Sequence, residues 1–336
     1  MNIETALQVD LVDTVRKAGG NPKQYYGSDY RCACPIHRGE NANNFTIYNQ
    51  GDKWRWKCFS RDCGQGDVID FIMAYKGFDL KRAVEYLGGG ADITPDEIKA
   101  LAAERVRKAE EFEQQKKDEY LNALEELQQA KAWQEYYQNL DKFEVARELW
   151  AARGIPDVFQ SIWELGYCDK FAYSTSQGKM VTPTLTIPIF GPGRELLNIR
   201  HRLLNPFNPG DKYRPHRAGL RSVPFLADPD RGYDFDHILV VEGEIKAAVA
   251  YLTIDSTNLQ VVGIPGKTQF RSIIDKLKGK NVVILFDPDA GKEAVEAAKL
   301  VKGRVVHLKI KVDDAINAGQ LDQATLKRIL NSSRRY

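Results

Sequence analysis

The sequence predicts a multidomain α/β protein: a small cysteine-rich β module with helices, a long helical linker, a mixed α+β subdomain, and a parallel βα sheet. Three observations predict it. Four of the five cysteines crowd between positions 32 and 63; residues 96–137 contain no glycine or proline; and from Asp236 onward apolar runs alternate with helix formers. A length of 336 residues sets an expectation of about two domains, and a composition of 43% hydrophobic and 28% charged residues is ordinary for a soluble globular protein. No apolar run approaches the roughly 18 residues of a membrane span, and MNIETALQVDLV lacks the character of a signal peptide. Clustered cysteines without an export signal point to metal rather than disulfides, and to a reducing cytoplasm.

The cysteine-rich segment comes first. Cys34-x2-His37 and, twenty residues later, Cys58-x4-Cys63 each have the spacing of a chelating turn, with FTIYN and KWRWKCF between them reading as strands. Two such turns joined by a hairpin make a zinc ribbon at about residues 30–65, with one structural Zn²⁺ held by three thiolates and one imidazole. Cys32 is left out, because Cys32 and Cys34 give a poor bite for one tetrahedral ion. In KWRWKCF, Trp54 and Trp56 alternate with Lys53, Arg55 and Lys57. Such alternation fits either a packed face opposite a solvated one, or a platform on which single-strand bases stack near cations.

The module is expected to end near residue 90, in LGGG. Thr94, Pro95 and Glu97 then form a capping-box signature that opens the helical linker, residues 91–150. Its apolar positions are too sparse for a sustained heptad, so it reads as one or two mostly solvated helices spanning ~50 Å. It carries nine Lys/Arg against fifteen Asp/Glu. Residues 194–221 reverse that balance, with Arg194, Arg200, Arg202, Lys212, Arg214, Arg217 and Arg221 against two acids, although the whole chain carries a net charge of only +2. That density makes a candidate phosphate-contacting surface, and a solvated basic loop is the plain alternative.

Residues 151–235 read as short strands and turns; residues 236–320 alternate HILVVE, GEIKAAVAYL, LQVVGIP, FRSIIDKLK, NVVILFD, GKEAVEAAKLV and RVVHLKI; residues 321–336 form a C-terminal helix or tail. Unbroken apolar strands alternating with helices imply a parallel sheet covered on both faces. Ligands of such sheets gather beyond the carboxyl ends of the strands. Glu242 closes one strand and Asp287 another, with Asp289 completing a D-x-D. If those strands are neighbours, the three carboxylates converge and call for a divalent cation, Mg²⁺ before others because few protein oxygens are offered. Glu244, in the first helical turn, has the simpler reading of a complement to the helix dipole. Gly-Lys-Thr at 266–268 lacks the full spacing of a phosphate-binding P-loop, since Val261 stands where glycine is required, yet Lys267 remains a candidate phosphate contact.

EGEIKAAV together with DPDAG resembles the Toprim domain shared by bacterial primases, topoisomerases and some nucleases. CPIH…KCFSRDCGQGDVIDF resembles the N-terminal zinc ribbon of DnaG-type primases, and ARGIPDVFQSIWELGY, TIPIF, IRHRLL and KYRP look like the start of their RNA-polymerase core. The likeness covers residues 30–90 and 150–315 in the family's order, and the long helical stretch looks more like phage or mobile-element primases. It implies short RNA primers made on a single-stranded DNA template from ribonucleoside triphosphates, with Mg²⁺ or Mn²⁺, no membrane, and a replicative helicase as partner, in bacterial or phage-infected cytoplasm. It implies Glu242, Asp287 and Asp289 as catalytic residues, these and Asp314 as magnesium ligands, and Arg202 and Lys212 as grips on template or nucleotide. Arg200, Arg214, Lys246, Lys267, Trp54 and Trp56 join them as candidate nucleic-acid or nucleotide contacts. Lys246 departs from the family, which usually has Asp there. A Toprim nuclease and a DNA-binding adaptor that has lost synthesis are the competing functions.

Overall fold

The computed structural model describes residues 3–51, 53–59, 63–88, 94–175, 178–208, 210, 212–332 and 334–335. Two compact units divide at residues 115 and 116, not at the expected linker boundaries. Gly89 and Gly90 of the predicted glycine boundary lie outside the described residues.

In the first unit, strands β1 (Lys23–Tyr26), β2 (Asp29–Cys32), β3 (Phe45–Gln50), β4 (Lys53–Cys58) and β5 (Gln65–Gly66) form one antiparallel sheet in sequence order. Its inner face packs Phe45, Ile47 and Trp56 against Val68, Ile69, Phe71 and Ile72 of the helix Val68–Lys76. Asp67 caps that helix, accepting from the backbone N–H of Ile69 and Asp70, while Asp70 accepts from Asp67 N–H at 2.9 Å. This reciprocal box satisfies donors the helix start would otherwise orphan. The predicted box at Thr94 and Glu97 is also present, opening the 36-residue helix Pro95–Ala130. Arg105 of that helix donates to both oxygens of Asp67, at 2.8 and 2.7 Å, and also pairs with Asp70.

The second unit contains two sheets. Strands β6 (Gly166–Thr175), β7 (Gly178–Phe190), β8 (Leu196–Leu203) and β9 (Tyr213–Pro215) form an antiparallel meander. The last turns of Pro95–Ala130 belong to this unit's core: Ala123 and Leu127 are buried with Phe190, Leu196, Ile199 and Leu220. The stretch expected to be a solvated linker is therefore packed from about residue 123 onward. Ala123, Leu124 and Leu127 form a short apolar stripe on one helix face, enough to dock two turns though not to sustain a heptad.

The remaining strands are β10 (Phe225–Leu226), β11 (His237–Glu242), β12 (Leu259–Ile264), β13 (Asn281–Leu285), β14 (Arg304–Val305) and β15 (Arg334–Arg335), in the order β10-β12-β11-β13-β14-β15. The inner four are parallel; β10 and β15 run antiparallel at the edges. Strand alternation splits the apolar runs between two cores. Leu239, Val241, Val261, Val283 and Leu285 face the helix Glu244–Ile254, while Ile238, Val240, Val262, Val282 and Ile284 face Phe270, Ala294 and Ala298. The predicted two-faced parallel sheet is present. Two segments depart from expectation: FRSIIDKLK is the end of a 3-10 turn, Lys267–Ile273, followed by a four-residue helix, and RVVHLKI is a strand only over Arg304–Val305.

Candidate functional site

The donor atoms of Cys34, His37, Cys58 and Cys63 all lie within 4.8 Å of one another, and they are the one such group of three or more among the described residues. His37 Nδ1 stands 3.0 Å from Cys63 Sγ and 3.8 Å from Cys58 Sγ. Those separations suit a tetrahedral shell with metal bonds of about 2.0–2.3 Å, so the donor set fits zinc in number, kind and spacing. Burial pushes the Cys63 thiol up to about 12 and raises the Cys34 thiol as well, so these thiols ligate only as a bound cation displaces their protons to solvent. Cys32, left out of the set on sequence grounds, is buried nearby with its thiol pushed up to about 11 by burial.

The aromatic alternation of β4 resolves toward packing. Trp56 is 1% exposed, stacks on Phe45 at 5.3 Å, and donates its indole N–H to the Asp67 carbonyl at 2.9 Å. A ring so enclosed has no face left for a base, which removes Trp56 from the candidate contacts. Trp54, on the same strand face, is partly buried 5.9 Å from Tyr30. The opposite face instead carries Lys23, Arg31, Thr46 and Lys57 in one row of paired residues across four strands, with Thr46 itself buried. Arg31 lies 3.8 Å over the ring of Tyr25, and Lys57 5.2 Å from the ring of Phe59; both rings are more than half exposed, at 57% and 60%. Tyr25 and Phe59 escaped the sequence reading, since neither belongs to an alternating run: Tyr25 adjoins Tyr26 in a short strand and Phe59 follows the end of β4.

In the second unit, β11 ends at Glu242 and its neighbour β13 is followed by Phe286 and Asp287, with Val241 opposite Leu285. Gly243, at φ +99°, makes the turn into Glu244–Ile254. Gly263 of β12 lets that helix sit close: a Cβ there would meet Gly243 O at 2.7 Å and Ala247 Cβ at 2.9 Å. The strands are adjacent, as the convergence argument required, but three bare carboxylates do not meet. Lys246 Nζ holds both oxygens of Asp287, at 2.5 and 2.6 Å, and Lys311 Nζ stands 3.9 Å from one of them. Asp289 is exposed in the turn Pro288–Ala290 and Asp314 is exposed on the helix Val312–Asn317. Asp313, the neighbour of Asp314, has a buried Oδ1 with no hydrogen-bond partner, and both of these acids lie near enough to Arg153 to raise it. These acids fit a hard divalent cation in kind, but their arrangement offers it no ready shell.

Strand alternation in β8 buries His201 and turns Arg200 and Arg202 to the opposite face. Arg200 Nε faces Glu244 Oε1 at 3.6 Å, an ionic distance beyond hydrogen-bonding range. Glu244 is 2% exposed, so its part is an internal counter-charge to Arg200 rather than a solvated complement to a helix dipole. Arg202 donates to the Tyr213 hydroxyl at 2.8 Å, and both arginines lie over the Tyr213 ring. Tyr213 is raised by its burial and then by the Glu244 charge, with Arg202 and Arg153 opposing. Arg153 is lowered by burial and by Arg202, with Tyr213, Asp313 and Asp314 opposing. Arg153 thus belongs to the same charged cluster; its segment ARGIPD carried the family likeness without this residue standing out. Arg214 lies over Tyr173, and Lys212 is exposed. Much of the remaining basic surface is spent internally: Arg194 pairs with Glu164 and Asp230, Arg217 with Glu126, and Arg221 lies over Tyr120. The side chain of Lys267 lies outside the described residues.

A four-ligand ribbon in one unit, and in the other an acid-tipped parallel sheet beside an arginine-bearing meander, define a zinc-ribbon protein with a mixed α/β core. Residues 4–102 match the family described as the CHC2 zinc finger, the zinc ribbon of DnaG. The chain is similar to the DNA primase of Clostridium acetobutylicum, at 30% identity over 142 residues, 42% of this chain and 21% of that protein. It therefore spans about a fifth of the curated relative it matches. The solved DnaG catalytic core shares its fold, with a TM-score of 0.50 at 16% identity over 63% of this chain and 80% of that one. The zinc-binding and RNA-polymerase domains of the Aquifex aeolicus primase align with 100% of this chain and 86% of theirs, at 21% identity and a TM-score of 0.49. Among the described residues no helix is long and apolar enough to cross a membrane.

Proposed function

We propose that this chain is a DNA primase, joining ribonucleotides into short RNA primers on single-stranded DNA. One observation carries the reading: acids at the carboxyl ends of adjacent parallel strands share a compact unit with the cluster of Arg153, Arg200, Arg202 and Tyr213. Chain extension by nucleotidyl transfer needs both charges, cations to orient phosphates and carboxylates to manage a divalent ion and a proton. In this reading Arg200, Arg202, Lys212 and Arg214 grip the template and the incoming triphosphate, with Arg153 reinforcing Arg202. Glu242 takes the proton of the attacking hydroxyl or helps hold a cation. Glu242, Asp287, Asp289 and Asp314 are the hard oxygen donors for magnesium or manganese, which would neutralise charge on the triphosphate. The outer row of the ribbon sheet, with Tyr25 and Phe59 beside Arg31 and Lys57, is the proposed surface for unpaired template.

The test is a gel assay with the purified chain, single-stranded templates of varied sequence, four ribonucleotides and Mg²⁺ or Mn²⁺. Template-dependent products that vanish in Asp289→Ala, with folding intact, support the reading; the same products from Asp289→Ala remove the proposed site. The pairing of Lys246 with Asp287 favours a second reading, a DNA-binding replication protein without synthesis. Tight single-strand binding with no product in either metal would select it.

A further inference from the structure

The Lys246–Asp287 contact joins residues 41 positions apart, and both side chains are largely enclosed, 15% and 14% exposed. One ammonium sits against both oxygens of the carboxylate, and a second, Lys311, approaches from a more exposed position. Two ammonium groups stand against the single carboxylate of Asp287, a local excess of cation at that side chain even with the acids Glu242 and Asp289 on the same sheet edge. Like charges repel there, so a free divalent ion must displace an ammonium held at close range in a partly desolvated setting. A polyphosphate meets the opposite field: it is attracted by the same two ammonium groups and gives Lys246 a new partner.

We infer that Lys246 is the resident counter-ion of Asp287, keeping this carboxylate closed to free divalent cations and exchanging onto the phosphates of an incoming nucleoside triphosphate. Asp287 is released by that exchange, at the moment when the nucleotide and its accompanying cation arrive. The order is then fixed by charge: phosphate first, Asp287 open second. The inference deepens the nucleotidyl-transfer reading of this site and rests on it for the identity of the anion.

The test reads binding, not synthesis, on the full zinc-loaded chain. Mn²⁺ is titrated without nucleotide and followed by electron paramagnetic resonance; separately, a non-hydrolysable nucleoside triphosphate is titrated without divalent metal and followed by calorimetry. A carboxylate free in a tenth of molecules or fewer binds its cation about tenfold more weakly or worse, so Lys246→Gln gains Mn²⁺ affinity by about tenfold or more. The same substitution weakens the metal-free triphosphate by a similar factor. Lys246→Arg keeps the corner closed to Mn²⁺, and Asp287→Asn added to Lys246→Gln abolishes the Mn²⁺ gain. If Lys246→Gln fails to fold, Asp287→Asn alone serves: with Lys246 freed, it binds the metal-free triphosphate more tightly than wild type. Equal Mn²⁺ affinity in wild type and a folded Lys246→Gln, an unchanged triphosphate affinity in that variant, or no gain in Asp287→Asn overturns the inference. Failure of the polymerase reading is seen elsewhere, as absence of ribonucleotide incorporation on any template while these binding changes stand.

Discussion

The indole of Trp56 in β4 donates to the backbone carbonyl of Asp67, the residue that caps the following helix. One side chain thus ties the ribbon sheet to the helix that covers it. Trp56→Ala removes the hydrogen bond and a large part of the core, and is expected to destabilise the zinc unit by about 3–5 kcal/mol. Thermal unfolding followed by zinc release measures it. Phe59→Ala should leave that transition in place, yet weaken binding of single-stranded DNA by about 1–3 kcal/mol if Phe59 stacks on a base. Fluorescence anisotropy with a labelled oligonucleotide reads that loss; an unchanged affinity excludes Phe59 from the surface.

Zinc binding should be strongly pH-dependent. Cys34 and Cys63 are both raised by burial, so at neutral pH the metal binds only as it displaces thiol protons. The sign follows directly: lower pH favours the protonated thiols, and apparent zinc affinity falls as pH drops, by up to about a thousandfold per unit for three protons. Calorimetry in two buffers of different ionisation enthalpy should count about three protons released. A count near zero would mean that the thiolates are already formed. Chelation should unfold the ribbon while the circular dichroism of the second unit persists.

The helix Pro95–Ala130 makes two different predictions along its length. Leu127 is 1% exposed and packs in the second unit, so Leu127→Ala should cost about 2–5 kcal/mol of that unit's stability. Val106 is exposed, and Val106→Ala should shift stability by less than about 0.5 kcal/mol. Differential scanning calorimetry separates the two; equal effects would return the later turns to a solvated spacer.

Acid should destabilise the second unit at the back of β8. His201 Nδ1 lies 2.9 Å from Thr184 Oγ1, its Nε2 lies 3.1 Å from His216 Nδ1, and its ring stacks on Phe171 at 3.7 Å. Burial lowers His201 well below its usual 6.5 and lowers His216 as well. The unfolded chain binds protons at these rings where the folded one does not, so stability is full above about pH 6.5 and falls as pH drops below it. Chemical denaturation from pH 8 to 5 should show the loss, and His201→Phe should flatten the slope if it folds. A slope unchanged in that variant would place the acid sensitivity elsewhere.

Legibility in the sequence followed the range of the signal. The chelating pairs, the capping box at Thr94 and the alternation after Asp236 are local patterns, each complete within a few residues or one strand, and each is present in the structure. The fate of Trp56 was harder: alternation separates two faces of a strand but does not say which one a helix will cover. The docking of Leu127 depends on a partner surface from Phe190 to Leu220. Lys246 and Asp287 are joined only because β11 and β13 are neighbours and the intervening helix turns one lysine toward the next strand's end. Burial of Glu244 against Arg200 is of the same kind, a charge in the first turn of a helix matched by one on a strand of the other sheet.

Among the described residues, the parallel sheet closes at each margin with a strand of two residues, β10 and β15, running opposite to its neighbour. An unpaired ladder that short presents almost no template to which a second polypeptide can add itself. Long apolar strands such as Ile238–Val241 are the segments most prone to self-association when a sheet margin is open, and here they lie inside it. The inner strands therefore keep their hydrogen-bonding groups out of intermolecular pairing, and resistance to fibre growth follows from the order in which the strands are laid.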